Sequence, residues 1–153
     1  MDRLIADLDE QFSRLDRELR ELVATVTPDL LYRRSRSESG RSSLSGGEQI
    51  LRSAAVVEQT FGGLTANLWD DPFEWTLPET LPTPAAVAAY LGEVETTRQR
   101  GFMLLKSDDD LAKEIMAPAG VIQLRPLLLD TLARARHYLH SAQTTFELVR
   151  SKI

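Results

Sequence analysis

Between Met1 and Val26 the apolar residues Met1, Ile5, Leu8, Phe12, Leu15, Leu19, Leu22 and Val26 follow one another at alternating steps of four and three without a break. That spacing places them on one face of an α-helix and is incompatible with a strand, whose faces alternate every two residues. Asp, Glu and Arg fill the outer positions, and no Gly or Pro interrupts the run before Thr27-Pro28, where proline disfavours helical geometry in the residue it follows. A helix of this length with a single apolar face must bury that face. A two-stranded coiled coil would show the same spacing, but three further helical patterns follow in the chain, so the partners are expected within it.

The last thirty residues repeat the argument. Leu124, Leu128, Leu132, Ala135, Leu139, Ala142, Phe146 and Val149 form a second long stripe, and Pro126 sits at its start, where a missing amide costs little. Two more helices lie between. Ser45-Gly46-Gly47-Glu48 matches a capping box and opens a stripe of Ile50, Ala54, Val57, Phe61, Leu64 and Leu68. Thr83-Pro84 supplies an N-cap with proline in the first turn, followed by Val87, Tyr90, Leu91, Val94, Gly101, Leu104 and Leu105. The Gly62-Gly63 pair weakens the second helix, and a close helix crossing is the expected reason for it, with a bound ligand as the alternative.

The connections differ in kind. Residues 32 to 44 are rich in Ser and Arg, with four arginines among nine residues, and are expected to be a solvated loop rather than an anion-binding lid. Residues 70 to 83 hold Pro72, Pro78 and Pro82 with Phe73, Trp75 and Leu77 between them, a crossover too long for a tight hairpin, so the helices it joins need not be antiparallel neighbours. Ser107 with Asp108, Asp109 and Asp110 resembles a metal cluster at first sight but reads better as the N-cap and acidic first turn of a short helix running through Met116. Pro118-Ala119-Gly120 breaks that helix, and Val121 to Leu124 is at most a short extended piece. The expected class is therefore all-α, with four helices of roughly 23 to 28 residues, each about 35 to 42 Å long, in a single domain over residues 1–153.

Composition limits what such a bundle can do. With a formal net charge of −5, general nucleic-acid binding and attraction to anionic membrane are not expected. The absence of cysteine excludes disulfides, thiolate nucleophiles and cysteine-held metals from the protein's own side chains. No leader-like segment and no run of membrane-spanning length is present, so the cytoplasm is the expected location.

The order of these pieces resembles the DinB/YfiT-like superfamily. The likeness covers the layout of the whole chain and rests on the long first helix, the Gly47-Glu48-Gln49-Ile50-Leu51-Arg52-Ser53-Ala54-Ala55-Val56-Val57-Glu58 segment, the Thr83-Pro84 helix start, and a last helix carrying His140-Ser141-Ala142-Gln143. The resemblance implies a four-helix bundle with up-down-down-up connectivity, pairing as homodimers. It also implies a divalent metal on three histidines, one from the second helix and two, four residues apart, from the fourth. The better-understood members are transferases or isomerases that use mycothiol, bacillithiol or similar thiols.

Transferred to this chain, those three positions are Ser53, Arg136 and His140, so one imidazole of three remains. Serine is a poor ligand and a guanidinium repels cations. No cofactor is therefore expected; if there is one, it is a divalent metal such as zinc or nickel. A substitute set would use His137 and His140 with Glu58 or Glu95, although His137 is expected to lie at the bundle edge. Arg136 is expected either to form an ion pair with Glu58 or another carboxylate, or to receive a small anionic ligand with help from Ser53 and His140. The functional expectation is a small-ligand-binding or interaction bundle that has lost its metal, the alternative being a thiol-dependent transferase of the same class.

Overall fold

The computed structural model describes residues 2–35, 44–72 and 76–151. It is mostly helical, with a small two-stranded sheet. The order is α1 (Arg3–Ala24), α2 (Pro28–Leu31), α3 (Gly46–Ala66), α4 (Pro84–Met103), a 3-10 turn (Asp108–Ala112), β1 (Glu114–Ala117), β2 (Gly120–Gln123) and α5 (Leu124–Arg150). Most of the arginine-rich connection, and Phe73 and Trp75 of the crossover, lie outside the described residues. No helix among the described residues is long and apolar enough to cross a membrane.

The capping signals act as read. Ser45 Oγ accepts the Glu48 amide at 3.1 Å while the Glu48 carboxylate accepts the Ser45 amide at 3.1 Å, so two free helix-end donors are satisfied reciprocally. Thr83 Oγ1 accepts the Ala86 amide at 3.1 Å at the start of α4. α1 ends at Ala24, slightly before the end of its stripe, and Pro28 starts the one-turn α2. The buried line of α1 shifts from Leu22 to Val23, because a straight helix at 3.6 residues per turn drifts away from a strict seven-residue repeat.

Four long helices share one core. α1 packs on α4 and α5, and α3 packs on the same two. Phe12, Phe61 and Phe102 meet with ring centroids 5.3 to 5.7 Å apart, joining α1, α3 and α4. Gly101 permits this, since a Cβ there would stand 2.5 Å from the Phe61 ring. α3 is buried on nearly every side, as expected of a helix whose middle reads Ala54-Ala55-Val56-Val57.

Two expectations need correction. The segment after Ser107 is not a helix through Met116: it makes one 3-10 turn and then an antiparallel hairpin with Met116 opposite Val121, turning at Gly120, whose φ of 122° suits glycine. The acidic run caps this turn as read, Asp110 accepting the Ser107 amide at 3.2 Å, and it caps a second helix besides. Asp108 accepts the Leu4 and Ile5 amides at 3.3 and 3.1 Å, while its own amide donates to Asp2 at 2.8 Å, so α1 receives the capping oxygens that its N-cap residue does not supply. Asp110 is drawn down to about 2 by Lys113 and by the Lys106 and Ser107 amides. The second correction concerns Gly62-Gly63, whose nearest neighbours among the described residues belong to the link after α3 and not to another helix. The chain turns back at Asn67, in the left-handed region at φ 56°, and lays the Trp69 ring on Gly63, where a Cβ would come within 2.3 Å of ring carbons.

Candidate functional site

The three positions matched to histidines in the resembling family do not act together. Ser53, fully buried on α3, donates to the Ala135 carbonyl of α5 at 2.7 Å, so its hydroxyl serves as a tie between helices. Arg136, one residue further on, reaches across to α1 and donates to Glu18 at 2.6 Å. His140 is exposed, with Nδ1 3.1 Å from the Gln143 amide oxygen. The partner of Arg136 is thus another carboxylate than Glu58, and its charge is already compensated. A hydroxyl committed to a backbone carbonyl and a guanidinium in an ion pair do not fit a divalent cation.

The substitute ligands are engaged elsewhere as well. Glu58 accepts the Tyr90 hydroxyl at 2.6 Å, and Glu95 is bonded to Arg98. His137 is exposed with its ring against Tyr138, and with His140, Gln49, Thr144 and Thr145 it lines an open groove on α5. Gln49 donates to the Leu44 carbonyl at 3.0 Å and to Thr145 at 2.9 Å, leaving its buried amide oxygen without a hydrogen bond among the described residues. No group of three His, Cys, Asp or Glu gathers among those residues.

Arg98 is the charged residue the sequence reading missed. It is only 1% exposed and bonds Asp9 and Ser13 of α1 as well as Glu95 of its own helix, with its guanidinium 5.2 Å from the Phe102 ring. Burial by itself would lower its pKa, but the bonds to Glu95 and Asp9 outweigh burial and raise it. The signal was present: position 98 falls on the line of Leu91, Val94 and Gly101, where only a paired charge can be buried.

A cleft of about 460 Å³ opens on another side of the molecule, between the second half of α3, the link after it and the second half of α4. Glu58, Gly62 and Thr65 come from α3, Leu68, Asp70 and Pro72 from the link, and Thr97 and Arg100 from α4. The reversal at Asn67 builds one wall. Leu68 donates to the Gly62 carbonyl at 3.1 Å, Gln59 holds the Trp69 carbonyl at 2.9 Å, and the Trp69 indole donates to Asn67 at 3.0 Å. Glu58 is half-buried at this cleft. Burial lifts its pKa above the usual carboxylate range, Tyr90 pulls the other way through its hydrogen bond, and Glu93 adds to the rise. Tyr90 in turn is raised by burial and by bonding to Glu58, so it remains a phenol and a donor. A carboxyl of this kind in a concave site with mixed apolar walls has the features of a ligand-binding centre. No family model matches the chain, and no curated protein is similar enough to count as a relative.

Proposed function

We propose that the chain is a DinB/YfiT-like four-helix bundle, up-down-down-up, that binds a small organic ligand in the Glu58 cleft and holds no metal at Ser53, Arg136 and His140. The topology is supported by which residues meet. Glu18 faces Arg136 and Thr25 faces Arg150, which fits α1 and α5 running in the same direction. Asp9 and Ser13 face Arg98 whereas Arg20 lies by Gly92, which fits α1 and α4 running oppositely. Thr60 meets Thr131 and Gln49 meets Thr145, which fits α3 opposed to α5. α3 and α4 would then be parallel, as a long crossover between them allows.

The observation that carries the functional reading is the contrast between the two loci. At the family positions Ser53 and Arg136 are tied to other helices and His140 is on the surface beside Gln143, whereas at the cleft Glu58 and its tyrosine stand beside about 460 Å³ of open space. The second reading, transfer chemistry on a low-molecular-weight thiol, draws on the same carboxyl, since one raised above its usual range is better matched to accept a proton near neutrality. Pairing as a homodimer belongs to the proposal through the resemblance, and light scattering checks it: a monomeric mass removes it. Elemental analysis of protein purified without added metal tests the metal-free ligand-binding reading against a transferase that uses a metal. The ligand-binding reading expects only traces of transition metal, and stoichiometric zinc or nickel would reverse the order.

A further inference from the structure

The cleft's charges are arranged in a way that narrows what can enter it. Glu58 sits at its inner side, Asp70 on the link, and Arg100 on the facing helix, so carboxylates and a guanidinium line one space. Among the described residues no ion pair within 4 Å joins Arg100 to Glu58 or to Asp70, although pairs such as Arg98 with Glu95 and Arg136 with Glu18 form readily in the same bundle. Charges of opposite sign that share a cavity without meeting leave a gap for something that completes both. The same lining also includes the uncharged Gly62, Ala66, Leu68 and Pro72. The Thr97 hydroxyl donates to the Glu93 carbonyl at 3.2 Å and keeps its lone pairs for a ligand donor.

We infer that the ligand is a small zwitterion: an ammonium group bound by Glu58 and Asp70, a short apolar body on Leu68 and Pro72, and a carboxylate or other anionic group bound by Arg100. Resting on the proposal that this cleft is the binding site, the inference adds the chemical class of what binds. An ammonium ion satisfies two carboxylates at once because it carries three donors, and a planar anion suits the two-pronged guanidinium. A ligand with one charge only would leave the protein charge of the same sign without a partner in the cleft. Tyr90 has a positioning part in this arrangement, because its hydrogen bond fixes one oxygen of the Glu58 carboxyl and favours its ionised form.

Calorimetry with four probes sharing a six-carbon chain tests the assignment: 6-aminohexanoate, hexylamine, hexanoate and 1-hexanol. Saturable binding of 6-aminohexanoate, at least roughly tenfold tighter than any of the others, is expected, tenfold corresponding to about 1.4 kcal/mol. Glu58→Gln, which keeps an oxygen for Tyr90, should weaken 6-aminohexanoate and hexylamine but not hexanoate. Arg100→Gln should weaken 6-aminohexanoate and hexanoate but not hexylamine; circular dichroism melts confirm that both variants fold. Hexylamine binding as well as 6-aminohexanoate, or hexanoate exceeding both, overturns the zwitterion assignment. Binding of 1-hexanol equal to that of the charged probes overturns it too while leaving the cleft as a binding site. Silence from all four removes the assignment and the site together.

Discussion

Replacing Tyr90 by phenylalanine removes one oxygen and leaves the ring in place, so the change isolates the bond to Glu58. That bond is 2.6 Å long, its donor belongs to a residue only 6% exposed, and its acceptor is half-buried. A hydrogen bond to a charged group contributes about 1.5–3 kcal/mol. Since water in the cleft can reach Glu58 and partly replace the phenol, the lower end applies, about 1.5 kcal/mol near pH 7. For a chain of this size that lowers the melting temperature by roughly 3–6 °C. The pH dependence makes the prediction specific. Burial raises the folded pKa of Glu58 above its unfolded value, so stability falls as pH rises from the unfolded pKa through the folded one. Tyr90 opposes that rise, and removing it moves the folded pKa further up. The loss in Tyr90→Phe should therefore be full above the folded pKa and shrink to about 0.5 kcal/mol near pH 4, where a neutral carboxyl keeps only a neutral bond. Urea denaturation at both pH values measures it. An equal loss at the two, or none near neutrality, would refute the assignment of Glu58 as a carboxylate held by this phenol.

Arg98→Met should cost about 3 kcal/mol in urea denaturation, because it leaves Glu95 and Asp9 without their cation; adding Glu95→Gln should recover part of that, and full additivity would argue against a coupled cluster. Ser53→Ala should cost about 1 kcal/mol, the loss of one helix tie; a destabilisation several times larger would mean that Ser53 does more than bond the Ala135 carbonyl. Gly63→Ala should cost about 1–3 kcal/mol through overpacking against Trp69 and shift tryptophan emission, while unchanged emission would show that the ring does not rest there.

Periodicity made the long helices legible because burial on one face leaves a direct imprint on spacing, and the two cap signatures fixed the starts of α3 and α4. Ile5, Leu8, Phe12, Leu15 and Leu19, like Leu128, Ala135, Leu139 and Phe146, are buried where the stripes placed them. The hairpin at Glu114–Gln123 was not legible: Met116 and Val121 lie on its solvent side, so no alternation of apolar and polar residues marked it. Arg98 was overlooked because an arginine on an apolar line looks like a gap in the line, and its partners Asp9 and Ser13 are 89 and 85 residues away. Glu58 was considered as a replacement ligand and as an ion-pair partner of Arg136. Its pairing with Tyr90, 32 residues on, and its place in a cleft come from how α3 and α4 meet, which single-helix spacing does not encode. The acidic run was recognised as the cap of its own turn, which Asp110 provides, but the second cap it supplies, from Asp108 to α1 104 residues earlier in the chain, leaves no local signal.

The most direct test is an amide NMR titration of the full chain with 6-aminohexanoate. If the cleft is the binding centre, the largest shifts fall on Glu58, Gly62, Thr65, Thr97 and Arg100, with Ser53, Arg136 and His140 unmoved. Shifts concentrated on Ser53, Arg136 and His140, with the cleft silent, would contradict it.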